Sequence, residues 1–167
     1  MGRPSRRNVV LREPPGGYVV RQYEPSDSDA YSELFHLAFT DDLDLDETVS
    51  CALDEGFFVV EHVDSGQLVS SCIAGEGPPH VAENKGRSWL GWLVTDIGHG
   101  GRGLGTLVSG LVTNTLLTEG HHPLSLGTED DRLAAISIYL KAGWKPDLYA
   151  DCMASRWGAI FGQLDEK

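Results

Sequence analysis

The stretch that decides the fold is "WLVTDIGHGGRGLGTLVSGLVTNTL", residues 92–116, in which five glycines fall within the eight positions 98–105. An apolar run typical of a strand precedes these glycines, and an apolar run with helical spacing follows them. A strand, a glycine-rich turn and a helix together bring several backbone amides and the positive end of a helix dipole to one place. The stretch therefore predicts a main-chain binding site for a phosphate group. We call residues 98–105 the glycine turn.

The flanking patterns predict alternating strands and helices. Strands are expected over 16–24, 57–63, 67–75, 88–96 and 122–128. Helices are expected from a capping box at Ser26 and Asp29 to Ala38, from Asp46 to Gly56, over 102–119 with Gly120 at the end, over 132–142, and over 153–164. The strand–helix–strand unit over 88–128 implies two neighbouring parallel strands joined by a right-handed crossover.

The chain length of 167 residues suits one domain. Residues 1–15 are expected to be a basic N-terminal tail or an extension of the first strand, because residues 1–12 carry four arginines and no acid. Residues 16–167 then form a single domain. The sequence has no signal peptide and no apolar run of the roughly 18 residues that span a membrane, so a cytoplasmic location is expected.

The charge balance narrows the class of partner. Thirteen basic residues against 25 acidic ones give a net charge of −12, which disfavours nucleic acid or an anionic membrane and favours a cationic small molecule. The run "DDLDLDE", residues 41–47, holds five of the acids and is either a solvated loop or a rim that attracts cations. The three cysteines are odd in number and form no CxxC pair, so neither a disulfide framework nor a metal site is expected.

Two phosphate ligands are considered for the glycine turn. Gly98, Gly100 and Gly103 match the dinucleotide pattern G-x-G-x-x-G, which would indicate a nicotinamide-dependent oxidoreductase. That pattern, however, starts too late in the chain for a dinucleotide fold. The acid expected about 20 residues later at the end of the next strand is also missing, since Glu119 falls in the helix and Glu129 comes too late. Coenzyme A is the alternative.

Two motifs carry a resemblance to a known family. "LVTDIGHGGRGLG" resembles the Arg/Gln-x-x-Gly-x-Gly/Ala signature of the GNAT superfamily of acetyl-CoA-dependent N-acetyltransferases, with Gly103 and Gly105 at the two small positions and Gly100 in place of Arg/Gln. Counted from Val94, His99 takes that place. "RLAAISIYLKAGWKP", residues 132–146, is similar to the family's A-i-x-x-Y-x-x-x-G-F segment, except that Arg132 stands where the family commonly has Asn.

The resemblance implies a fold and a set of cofactor-binding residues. The fold is α/β (α+β), a mixed central sheet whose two parallel central strands splay apart, flanked by helices, with a C-terminal helix added here. Acetyl-CoA would be the co-substrate, and no metal is implied. Backbone groups of Leu93 and Val94 would pair with the pantetheine arm. The diphosphate would lie on Gly100, Gly101, Arg102, Gly103, Leu104, Gly105 and Thr106.

The same resemblance suggests the catalytic groups. Tyr139 matches the family's general acid; a tyrosine titrates near pH 10 and can protonate a departing thiolate. Tyr139 also lies on the apolar stripe of its helix, so a core position is the alternative. Asp96 and Glu129 follow neighbouring strands and are tentative general bases, although either could cap a helix instead. Water could also accept the proton.

Two functions from different classes follow. The first is an N-acetyltransferase that acetylates a primary amine, on a cationic small molecule or a peptide, by direct attack. The second is a catalytically silent CoA-binding module of the same fold. A homodimer is considered, because Trp157 and Phe161 share a face of the terminal helix and because no last strand is evident to close the sheet edge.

Overall fold

The computed structural model describes residues 1–2, 8–40, 44–77, 87–119 and 123–165. The strands are β1 (Tyr18–Gln22), β2 (Ala52–His62), β3 (Gln67–Glu76), β4 (Ser88–Thr95) and β5 (Leu124–Ser125). The helices are α1 (Ser28–His36), α2 (Leu45–Cys51), α3 (Leu104–Thr118), α4 (Leu133–Lys141) and α5 (Met153–Asp165). No helix in the described ranges is long and apolar enough to cross a bilayer.

The five strands form one mixed sheet in the order β1-β2-β3-β4-β5. The first four pair antiparallel, and β4 pairs parallel with β5, as the predicted β4–α3–β5 crossover requires. The parallel pair is short: only Ser88 with Leu124 and Trp89 with Ser125 are in register. Beyond Trp89, β4 continues to Thr95 without β5 beside it, so the two strands part.

A bulge in β4 lies where the strands part. Ser71 pairs with Val94 and Ile73 pairs with Gly91, so Cys72 faces two residues of β4. One of these residues, Trp92, has a φ of +51°, which a bulky residue rarely adopts. Such a bulge bends its strand and redirects its side chains, and it thereby helps to open the sheet beyond Trp89.

Apolar side chains cover both faces of the sheet. On one face, α3 packs through Val108 and Val112 against Val60, Cys72 and Leu90, all at most 2% exposed. On the other face, α1 contributes the buried residues Tyr31, Leu34 and Phe35. Each fully buried side chain of this size contributes roughly 1.5–3 kcal/mol relative to an exposed one.

The predicted C-terminal helix is confirmed as α5, and it packs on α4. Met153, Trp157 and Ile160 are buried against Leu133 and Ile136. Trp157 therefore belongs to the core of this chain, whereas Phe161 is 41% exposed. The edge of β5 is bridged by Gly2, which also exchanges backbone hydrogen bonds with Lys145.

Two predictions about the helices are wrong. The second helix ends at Cys51 and not at Gly56, since β2 begins at Ala52. Gly56 lies inside β2, where a Cβ would come within 2.8 Å of the Ala74 carbonyl oxygen. The glycine thus permits close strand packing and does not stop a helix.

The second wrong prediction is the capping box of Ser26 and Asp29 at the first helix. The structure places Asp27 at the N-cap of α1 instead. The Asp27 carboxylate accepts the Glu24 amide at 2.9 Å. It also accepts two bonds from the Arg21 guanidinium, at 2.6 and 2.8 Å. The hydrogen bond from Arg21 holds the pKa of Asp27 below its usual value, against the effect of burial.

Candidate active site

The glycine turn is held in shape by the side chains of Asp96 and Arg102 and contains two glycines in the left-handed region. Asp96 Oδ1 accepts the Gly98 amide at 2.7 Å, and Arg102 Nη1 donates to the Gly98 and Gly100 carbonyls at 3.0 and 3.3 Å. Gly101 and Gly103 have φ values of +73° and +82°. A Cβ on either would meet no atom of the chain within 4 Å, so the backbone conformation, and not internal crowding, requires glycine there.

Six consecutive amides, those of residues 101–106, have no hydrogen-bond partner among the described residues. The last three belong to the first turn of α3, a helix of 15 residues whose dipole adds positive potential at this end. Gly105 lets the helix approach β4, because a Cβ there would lie 3.1 Å from Thr95 Oγ1. The exposed glycines and Thr106 therefore offer main-chain donors to an anion.

A cavity of about 690 Å³ lies where β4 and β5 part. Its lining combines both diverging strands with α4, α5 and the segment after α1. From β4 it takes residues 89–93, and from β5 and its continuation residues 125–128. Leu93 lines it, whereas Val94 is 2% exposed and its carbonyl accepts Ser70 Oγ at 2.8 Å.

Tyr139 of α4 lines the same cavity and is 5% exposed. Burial raises the pKa of the Tyr139 hydroxyl above its usual value, and the charge of Arg132 opposes that shift. The phenol therefore stays protonated across the neutral range. A buried hydroxyl that keeps its proton and borders a cavity can donate that proton to a group bound there.

The two tentative bases each have a partner of their own. Asp96 is engaged with Gly98 in the glycine turn. The Glu129 side chain is 79% exposed and pairs with Arg132, Oε2 to Nε, at 3.4 Å. Neither residue is among those that line the cavity with Tyr139.

The carboxylates on the cavity are Asp130 and Asp147, which sequence reasoning gave no catalytic role. Asp130 holds Arg156 of α5 through two hydrogen bonds, at 2.8 and 3.0 Å. The arginines that line the cavity are Arg87, Arg132 and Arg156. No local pattern marks these residues, because segments distant in sequence bring them together.

The acidic run plays a different part in its described half. Asp44 caps α2 by accepting the Glu47 amide at 2.9 Å. Residues 41–43 lie outside the described residues, and none of residues 44–47 lines the cavity.

Three aromatic side chains form a cluster between the glycine turn and the neighbouring strands, and no sequence motif predicts it. His99 Nδ1 and the Tyr18 hydroxyl are 2.9 Å apart, and the His62 ring lies 5.0 Å from the His99 ring. His99 thereby fastens the turn to β1. The residues that the structure describes contain no group of three or more histidines, cysteines or acids able to hold a metal ion.

Comparison with known proteins gives a family. The model of the acetyltransferase (GNAT) family matches residues 19–144, about three quarters of the chain. The match spans β1 to the end of α4 and includes the glycine turn and Tyr139. No curated protein sequence matches the chain.

Solved structures share the fold at low identity. A GCN5-related N-acetyltransferase from Sphaerobacter thermophilus is 22% identical with a TM-score of 0.64, over 85% of this chain and 45% of that one. A GNAT acetyltransferase from Staphylococcus aureus Mu50 is 17% identical with a TM-score of 0.63, over 80% and 88%. The ribosomal-protein-S18-alanine N-acetyltransferase from Escherichia coli is 18% identical with a TM-score of 0.59, over 78% and 79%.

Proposed function

The chain belongs to the acetyltransferase (GNAT) family, and on that premise we propose that it transfers an acetyl group from acetyl-CoA to a primary amine, with Tyr139 as the general acid. Acetyl-CoA is the co-substrate of this family, and the protein is an acetyl-CoA-dependent acyltransferase. The observation that carries the finer proposal is the joint position of Tyr139 and Leu93 on one cavity between the parting strands.

The glycine turn fits the diphosphate of acetyl-CoA. The amides of residues 101–106, for which the described part of the chain supplies no partner, would bind a doubly charged group without any side chain. This explains why Gly100 or His99 can stand where the family signature has Arg or Gln. The backbone of Leu93 and Val94 would hold the pantetheine arm, and Gly100 to Thr106 the diphosphate.

Acetyl-CoA supplies the reactive thioester when bound. The role of Tyr139 is to keep its proton until a thiolate departs and then to donate it from Oη. The raised pKa of Tyr139 suits this role, since a proton donor must be protonated at the start of the reaction. Tyr139 belongs to the apolar core beneath the sheet, and the low local dielectric there strengthens such a hydrogen bond.

The proton lost by the amine needs an acceptor. Asp96 and Glu129 remain the proposed bases. Each already has a partner and neither lines the cavity, so either would accept the proton through water. An ammonium group titrates near pH 10, so the acceptor must lose a proton before its amine can attack the thioester at neutral pH. A water chain that leads to Asp96 or Glu129 would take up that proton.

The acceptor is proposed to be a cationic small molecule or a peptide amine. Support comes from Asp147, Trp92 and Tyr149, which line the cavity, since a carboxylate and aromatic rings both attract an ammonium group. The acidic run no longer carries this proposal, because its described residues lie off the cavity.

Thiol release from acetyl-CoA over a panel of amines tests the function. The panel would contain spermidine, kanamycin and a tripeptide with a free α-amine. Tyr139→Phe should lower kcat about 10²- to 10⁴-fold and leave acetyl-CoA binding within about twofold of wild type. Binding of acetyl-CoA without turnover of any amine would instead favour the silent module, and equal kcat for Tyr139→Phe would remove Tyr139 from the chemistry.

A further inference from the structure

Arg132 makes two contacts that tie the start of α4 to the segment after α1, and a third, local contact with Glu129. It lies directly before α4, and its side chain is 28% exposed. Its Nη2 donates to the Ala38 carbonyl at 2.6 Å, and its guanidinium carbon lies 4.3 Å from the centre of the Phe39 ring. Its Nε pairs with Glu129 Oε2 at 3.4 Å, which orients the guanidinium plane.

Phe39 continues this connection to β4. Its ring stacks on Phe35 of α1 at 4.7 Å and meets Trp92 edge-on at 5.2 Å. Trp92 is the bulge residue of β4, with its φ of +51°. Arg132, Phe39 and Trp92 all line the cavity, so they form a continuous border from α4 to β4.

The Arg132 contacts are of a kind that a different side chain would not reproduce. A hydrogen bond from a charged donor is shorter and stronger than a neutral one. Arginine can also stack on an aromatic ring while its other nitrogens donate in plane, and lysine cannot do both at one site. Removal of the guanidinium would remove both the hydrogen bond to the Ala38 carbonyl and the contact with the Phe39 ring.

We propose that Arg132 is a positioning residue: it clamps the segment 37–40 against α4 and so fixes the Phe39 border of the acceptor site. The proposal rests on the proposed function, because it assigns the Phe39 side of the cavity to the acceptor. Arg132→Lys distinguishes the clamp from a charge effect on Tyr139 or Glu129, because lysine keeps the positive charge and loses the combined stacking and hydrogen bonding. Loss of the clamp loosens one side of the cavity and leaves Tyr139 and the glycine turn in place.

Arg132→Gln, Arg132→Lys and the control Lys141→Gln test the clamp. Lys141 is an exposed residue of the same helix with no place in the cavity. Arg132→Gln should raise the KM for the best amine of the panel about tenfold, with kcat within about threefold and the KM for acetyl-CoA unchanged. Arg132→Lys should fall between Arg132→Gln and wild type, and Lys141→Gln should match wild type.

Amide hydrogen exchange of residues 37–40 gives a readout that needs no acceptor. Arg132→Gln should speed that exchange about tenfold, whereas Lys141→Gln should leave it unchanged. Unaltered exchange, or an unaltered acceptor KM, overturns the proposal, as does a loss of kcat with KM intact. If wild type turns over no amine, the proposed function fails, and the exchange experiment still decides whether the clamp exists.

Discussion

Replacement of Gly103 by alanine tests the glycine turn in a quantity that the structure fixes in advance. Gly103 precedes α3 with a φ of +82°, and an added Cβ would meet no atom of the chain within 4 Å. The cost is therefore conformational and amounts to about 1–2 kcal/mol for an L-residue in the left-handed region. For a domain of this size the melting temperature should fall by roughly 2–8 °C.

On the proposed binding mode, the same substitution should also weaken acetyl-CoA binding at least about tenfold, because it adds a methyl group in the open space beside the amides that would hold the diphosphate. The matched control is Gly162→Ala, at an exposed position in α5 with open space around it. This change should stabilise the helix by about 0.5–1 kcal/mol and leave binding unchanged.

Gly103→Asn separates the two effects of the alanine. Asparagine tolerates a positive φ better than alanine does, so stability should recover in part. Binding should stay weak, because the side chain still stands before the amides. The reasoning is refuted if Gly103→Ala is as stable as wild type and binds acetyl-CoA as tightly, measured by urea unfolding and calorimetric titration.

Three further outcomes are expected. Since burial raises the pKa of Tyr139, kcat should show no fall with rising pH below about pH 10; a fall near pH 8 that disappears in Tyr139→Phe would contradict this. Asp27→Ala should cost about 2 kcal/mol in urea unfolding at pH 7, through the lost bonds from Arg21. Because the pKa of Asp27 is lowered on folding, its contribution is present above the unfolded value near 3.9 and is lost as pH falls through the folded value; the mutant deficit should therefore shrink below pH 4, and a constant deficit would argue against the ion pair. Asp147→Asn should raise the KM for cationic amines about threefold or more and leave acetyl-CoA affinity unchanged; an unchanged KM for spermidine would exclude it as the ammonium-binding carboxylate.

The elements that local periodicity encodes could be predicted from the sequence. The hairpin of β2 and β3, the crossover through α3 and the terminal helix all follow from spacing and turn residues, and the structure confirms them. The second helix shows the limit of this approach. A glycine after a helical run commonly ends a helix, and Gly56 fits that pattern. Glycine is needed there because β2 and β3 pack closely, which only the pairing of distant residues reveals.

The candidate site divides in the same way. The glycine turn and Tyr139 lie in continuous motifs, so a sequence can point to them. Arg132 and Asp147 reach the cavity only because segments remote along the chain meet there; Arg132 contacts Ala38 across 94 positions. Asp96 and Glu129 follow their strands as expected, but neither lines the cavity: Asp96 accepts the Gly98 amide, and the exposed Glu129 pairs with Arg132.

The central claim is that the amides of residues 101–106 bind the diphosphate of acetyl-CoA. Amide chemical shifts of the ¹⁵N-labelled protein test it directly, in titrations with acetyl-CoA and with N,S-diacetylcysteamine, a thioester without a diphosphate. The account predicts that the amides of Gly101, Gly103 and Gly105 move strongly with acetyl-CoA and stay in place with the short thioester. Unmoved turn amides in a protein saturated with acetyl-CoA would contradict it.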